Sequence, residues 1–195
     1  MGGSSAGTLI FDFDGTLFHL PVDMAAVRRD LGMAAEAKLG PLLQRFVDDG
    51  DDASLAVVTR HELAAVPAGS FTAGARGCLA GPGNRAIVSR NSRLAVLAAL
   101  GELADDVLVI GREDVRRLKP DPDGVHRVLA HFAVDPAQTV LIGDTYHDVQ
   151  AARAAGVYSV VVRNPALEYA PAGADRYLED LTADPRSLIP ANSER

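Results

Sequence analysis

Cys78 is the only cysteine in the chain, so no internal disulfide can form and nothing suggests a secreted, disulfide-stapled fold. Lysine is almost as scarce, occurring only at positions 38 and 119, while arginine supplies the other basic residues. A lysine that persists against that bias draws attention to its chemistry. No apolar run approaches the roughly 20 residues needed to span a bilayer. Met1 to Gly7 lacks the basic and apolar regions of a signal peptide and reads as a lead-in. Positive charge is also in deficit. A net charge of -7 and a pI near 5.1 argue against nucleic acid or an anionic membrane as the main partner. These absences predict a soluble protein with a cytoplasmic location.

What is present is the composition of an ordinary globular chain, 48% hydrophobic and 23% charged over 195 residues. That length suits one core carrying a small insertion better than two full domains. Thr8 to Phe13, Arg85 to Ser89, Asp106 to Ile110, Thr139 to Ile142 and Tyr158 to Val162 are short runs rich in β-branched or other apolar residues, and read as buried strands. Helical spacing lies between them at Arg93 to Leu100, Asp123 to Phe132 and Asp148 to Ala155. Such alternation predicts a Rossmann-like three-layer α/β/α core around a mostly parallel five-stranded sheet.

One stretch breaks the rhythm. Helix-like segments at Met24 to Leu31, Ala34 to Asp48 and Ser54 to Ala65, then a passage rich in Gly, Ala and Pro, read as an insertion after the first strand. The expected division is a core of residues 8–19 and 82–190 and a helical unit of residues 20–81. From Ala174 the chain reads as a short helix, Leu178 to Ala183, followed by a frayed end.

Ligands of parallel sheets bind beyond the carboxyl ends of the strands. Asp12, Ser89 and Asp144 finish three of the predicted strands, and Lys119 sits in the loop after another, between Leu118 and the prolines of Pro120-Asp121-Pro122. Asp12-Phe13-Asp14-Gly15-Thr16 ends a buried strand in two carboxylates, with a glycine that lets the chain turn so that the two can take different tasks. Gly143-Asp144 repeats the pattern, and Asp148 follows four residues later. Carboxylates gathered in a small volume need a cation between them. An all-oxygen donor set without histidine or cysteine favours magnesium. His147 reads as solvent-facing, and Ser89 with Asn91 and the next helix N-terminus reads as a phosphate seat or a helix cap.

In order along the chain, DFDGTL at Asp12 to Leu17, Ser89 ending IVS, Lys119 in LKPDP and GDTYHD at Gly143 to Asp148 resemble the four motifs of the haloacid dehalogenase-like superfamily. The resemblance runs from Thr8 to Leu181, and the inserted helices resemble the small cap of its phosphoglycolate phosphatase-like subgroup. It implies Asp12 as a nucleophile forming an aspartyl-phosphate and Asp14 as acid and base, with its backbone carbonyl on the metal. It also implies Ser89 and Lys119 on the phosphoryl group, and Asp12, Asp14, Asp144 and Asp148 as the metal set, Asp148 supporting it through water or Lys119. Gly15, Thr16 and Asn91 are candidate substrate donors.

Asp14, at the position that true dehalogenases leave without an acid, points the resemblance to phosphate esters. The implied activity is hydrolysis of a small phosphorylated metabolite, phosphoglycolate- or sugar-phosphate-like. A phosphomutase, with His19 close to the first motif, and a non-catalytic phosphate-binding protein are the alternatives. A reduced cap implies a less enclosed site and so a bulkier substrate or lower selectivity. Phe18, His19 and Arg60 are weaker candidates for contact with it.

Overall fold

A computed structural model describes residues 7–168, 170–183 and Ser187. The elements in chain order are β1 (Thr8–Phe11), β2 (Phe18–His19), α1 (Met24–Asp30), α2 (Leu39–Asp49), α3 (Asp52–Ala65), β3 (Ser70–Phe71), α4 (Ala75–Ala80), β4 (Arg85–Val88) and α5 (Arg93–Leu100). They continue as β5 (Leu108–Ile110), α6 (Asp123–Phe132), β6 (Thr139–Gly143), α7 (Tyr146–Ala155), β7 (Tyr158–Val162) and β8 (Arg176–Leu178).

The strands of the main sheet run β5-β4-β1-β6-β7-β8, every neighbouring pair parallel. Chain order reverses at β1, which pairs with β4 on one side and β6 on the other. Outside the carboxyl ends of these three strands lies the switch-point crevice where such sheets bind ligands. Alternate side chains of the sheet feed two cores. Phe11, Ile87, Val109 and Ile142 pack on one face with Val96 and Leu100 of α5, and Ile10, Ala86, Val88 and Leu141 pack on the other with Val125 and Ala152 of α6 and α7. These are the three layers predicted from the strand runs.

The end of the chain departs from expectation. Leu178 to Ala183, predicted as a helix, instead finishes strand β8 and continues without helical structure, so the sheet has a sixth strand rather than five. Arg176-Tyr177-Leu178 lies at an exposed sheet edge, where no alternation betrays a strand. The frayed end predicted beyond Ala183 lies outside the described residues apart from Ser187, and the lead-in does so up to Ala6. Helix α7 starts two residues before the predicted Asp148 because Thr145 caps it. Helix α2 starts at Leu39 rather than Ala34.

The inserted helices α1, α2 and α3 bury their own cluster of Val27, Leu39, Leu43 and Val58, into which Leu118 reaches from the loop after β5. Their stem is a two-stranded antiparallel ribbon, β2 with β3, in which Phe18 faces Phe71 edge-on with ring centroids 5.2 Å apart. The passage rich in Gly, Ala and Pro holds this strand and α4, whose Ala75 and Leu79 join the core under the sheet. Among the described residues no helix is long and apolar enough to cross a membrane.

Candidate active site

Asp12 follows the last residue of β1, and its amide still donates to Ile142 O at 2.8 Å, so the position of its carboxylate is fixed by the sheet ladder. Ser89 likewise donates its amide to Ile110 O at 3.0 Å, one residue past β4. Asp144 follows β6 directly, and Asp148 is the third residue of α7. Ligand oxygens of Asp12, Asp144 and Asp148 lie within 4.8 Å of one another. Lys119 is drawn into the group, its ammonium 2.7 Å from Asp12 Oδ1 and 2.6 Å from Asp148 Oδ1. The second of the two lysines, 4% exposed, therefore stands buried between two carboxylates.

Electrostatics decide what this cluster can accept. Burial pushes Asp12 up to about 8 despite the Lys119 ammonium, and Asp148 and Asp144 add to the rise. Burial likewise raises Asp144 to about 6, against hydrogen bonds from Asn164 and Thr16. Burial acts to raise Asp148 too, but Lys119 outweighs it and holds that carboxyl below its ordinary value. Lys119, flanked by Asp12 and Asp148, sits above its ordinary value even though burial opposes this. Three carboxylates set against one ammonium leave two negative charges uncompensated when all are ionised. An all-oxygen cluster with that residual charge fits a hard divalent cation.

Two glycines make the approach possible. A Cβ on Gly143 would overlap the Asp148 carboxyl, and one on Gly15, whose φ is +85°, would overlap Asp144 Oδ2 and the Asn164 amide. Asp148 is spent on both sides: Oδ1 takes Lys119, and Oδ2 accepts from Thr145 N and Oγ1 at 3.0 and 2.6 Å as the helix cap.

Asp14 lies outside the carboxylate group. Its Oδ1 accepts the Leu20 amide at 3.0 Å, at the start of the inserted segment, and burial raises its pKa. The amides of Gly15 and Thr16, expected as substrate donors, are bonded inside their own turn to Phe18 O and Phe13 O. Thr16 Oγ1 instead donates to Asp144 Oδ1 at 3.2 Å. The helix N-terminus after Ser89 is also taken. Ser92 N donates to Glu62 Oε2 and Arg93 N to Glu113 Oε2, each at 3.0 Å, so those amides are not a phosphate seat. Ser89 Oγ donates to Asn91 Oδ1 and accepts from Asn91 N, both at 3.0 Å. Phe18 is core, His19 is exposed, and Arg60 pairs at the surface with Asp30.

His147 is not solvent-facing as the sequence suggested. It is half-buried, and burial, followed by the nearby Arg90, lowers it to about 4. The neutral ring accepts at Nε2 from Arg90 Nη1 at 3.1 Å. Arg90, Asn164, Glu62 and Arg112 are the residues that sequence reasoning missed. Asn164 Nδ2 donates to Asp144 Oδ2 at 2.6 Å. Only Arg90 had a readable signal, since it directly follows a strand-end serine.

Known proteins give matching likenesses. A model of the family described as haloacid dehalogenase-like hydrolase matches residues 84–162. A phosphoglycolate phosphatase of Rhodospirillum rubrum is 33% identical over 189 aligned residues, covering 79% of this chain and 78% of the relative. A plasmid-borne phosphoglycolate phosphatase of Cupriavidus necator is 43% identical over 89 residues, 44% of this chain and 38% of that one. Among solved structures, CbbY of Rhodobacter sphaeroides in complex with phosphate superposes with a TM-score of 0.71 at 19% identity, covering 91% of this chain and 96% of that one.

Proposed function

This chain belongs to the haloacid dehalogenase-like hydrolase family and is a phosphatase of it, and from that premise we propose that it hydrolyses a small phosphate monoester in two displacements at Asp12. The observation that carries the reading is the Lys119 ammonium held between Asp12 and Asp148 at 2.7 and 2.6 Å, with Asp144 alongside. The names of the Rhodospirillum and Cupriavidus relatives support the ester class.

Lys119 occupies Asp12 Oδ1, which leaves Oδ2 as the attacking oxygen. Attack forms the bond from Asp12 to phosphorus and breaks the bond from phosphorus to the alcohol oxygen, to which Asp14 gives its proton. Water then attacks the same phosphorus, Asp14 takes a proton back, and the acyl phosphate bond breaks to restore Asp12. The raised pKa of Asp14 suits a group that must carry a proton before the first step. Its bond to the Leu20 amide orients it from the stem of the inserted helices. Ser89 Oγ, its proton turning from Asn91 Oδ1 to the substrate, and the Lys119 ammonium supply donor and charge to the phosphoryl oxygens, and Arg90 adds positive charge beside Ser89. Most of the rate then comes from position and electrostatics, as phosphoryl transfer requires.

Asp12, Asp144 and the Asp14 backbone carbonyl would hold magnesium, which neutralises charge on the phosphoryl group when bound. Asp148 anchors Lys119, both its oxygens being engaged by protein donors. The inserted helices, residues 20–81, act as the cap over this site. The deciding experiment is magnesium-dependent release of phosphate from a panel of small monoesters, with Asp12→Asn as blank. Loss of turnover by about 10⁴-fold or more is expected. Full activity in the variant would overturn the mechanism.

A further inference from the structure

The cavity that opens from Asp12 and Asp14 toward the inserted helices has a volume of about 380 Å³. Its lining toward those helices is apolar: Leu20, Val22, Val27, Leu39, Leu43 and Val58, all but Val22 themselves buried, with the exposed Met24 beside them. Here the organic part of an ester must sit, since the phosphoryl end is fixed by Asp12, Ser89 and Lys119. From this division of the cavity we infer that the alcohol portion of the substrate is apolar, an aliphatic or aromatic group rather than a polyol or hydroxy acid. The inference rests on the phosphatase reading given above and refines it.

The polar groups of the lining do not serve that apolar side. Glu62 is surrounded by donors, Oε1 accepting from Arg112 Nη1 and Asn91 Nδ2 and Oε2 from Arg112 Nη2 and the Ser92 amide. Asn91 has its other side-chain atom on Ser89. Thr145 Oγ1 donates to Asp148. Arg90 spans His147 Nε2 and Gly40 O with its two terminal nitrogens, and its Nε is buried without a hydrogen-bond partner. The groups left are Asp12, Asp14 and Lys119, which are committed to the phosphoryl transfer, and the ring of His147, which already accepts from Arg90 at Nε2. A hydroxyl or carboxylate carried by the alcohol would give up its water against leucine and valine side chains. A methylene in the same place gains from leaving water.

The test uses wild-type protein with magnesium and a series of n-alkyl phosphates from methyl to hexyl, in which the basicity of the leaving alcohol hardly changes. Glycerol 1-phosphate is the hydroxylated match of propyl phosphate, and 2-phosphoglycolate is included beside them. The expected result is a rise in kcat/KM of about 3-fold per added methylene until the cavity is full. Glycerol 1-phosphate should fall at least about 10-fold below propyl phosphate. Leu43→Asn should narrow that ratio, which a general loss of activity would not do. A flat series, with glycerol 1-phosphate or phosphoglycolate matching or exceeding the alkyl esters, overturns the inference and leaves the hydrolase reading intact. Failure to cleave any ester overturns both.

Discussion

Glu62 and Arg112 form a doubly bonded ion pair in the interior, with Nη1 on Oε1 at 2.8 Å and Nη2 on Oε2 at 2.7 Å, and it ties helix α3 to the turn after β5. Arg112 is fully buried and Glu62 is 4% exposed. Asn91, which contacts Ser89, hangs on the same carboxylate.

Breaking such a pair leaves a charge in a dry place. Glu62→Gln or Arg112→Met should therefore destabilise the fold by about 3–5 kcal/mol. Urea unfolding of both singles and of the Glu62→Leu/Arg112→Met double variant measures this. The double variant is expected to lose less than the sum of the singles. Strict additivity would show that the two groups do not act as a pair.

The Asp12 and Asp144 carboxyls, raised to about 8 and about 6, bind protons that a divalent cation must displace. Magnesium affinity should rise as the pH goes from about 6 to about 8, with proton release on binding. Calorimetric titration in two buffers of different ionisation enthalpy reads both. The sign for the cation-free fold is opposite. A folded carboxyl raised above its ordinary 3.8 makes the native state bind more protons than the unfolded one. Stability should then fall as the pH climbs from about 4 to about 8. An affinity independent of pH would refute the linkage.

Asn164→Ala removes the 2.6 Å donor to Asp144 Oδ2, leaving that carboxylate less fixed and easier to protonate. A loss of divalent affinity of about 10- to 100-fold is expected, measured by titrating activity or heat with magnesium. Unchanged affinity would mean that Asp144 needs no such support.

Lys119→Met strips the ammonium from between Asp12 and Asp148. Turnover should fall by about 10²- to 10³-fold. Thermal unfolding should show a greater loss at pH 8 than at pH 5, because protonation relieves the unpaired carboxylates at the lower pH. An equal loss at both values would argue against charge as the cause.

The sheet was readable because its central strands are buried on both faces and so appear as unbroken apolar runs, such as Thr8 to Phe11 and Thr139 to Ile142. The residues that end them stood out as polar interruptions, which is how Asp12, Ser89 and Asp144 could be found. Strand β8 had no such contrast. Arg112 and Glu62 are 50 residues apart in sequence, and each looks like an ordinary surface charge until the fold buries it. Asn164 lies 20 residues from Asp144, and no spacing rule connects them. Arg90 and His147 become partners only because β4 ends and α7 begins on the same side of the sheet.

The ribbon of β2 and β3 has a consequence for how such a chain can change. Since His19 and Ser70 are paired across it, everything between them is, along the chain, the loop of a hairpin, held to the core besides by Glu62 on Arg112. Loop closure grows only slowly more costly with length. Insertions, deletions or exchange within that stretch can therefore alter what is admitted to the crevice while every strand of the main sheet keeps its register, provided that Glu62 is retained for the buried Arg112. The same two-residue pairing marks where a graft from a relative with a different lid could be joined.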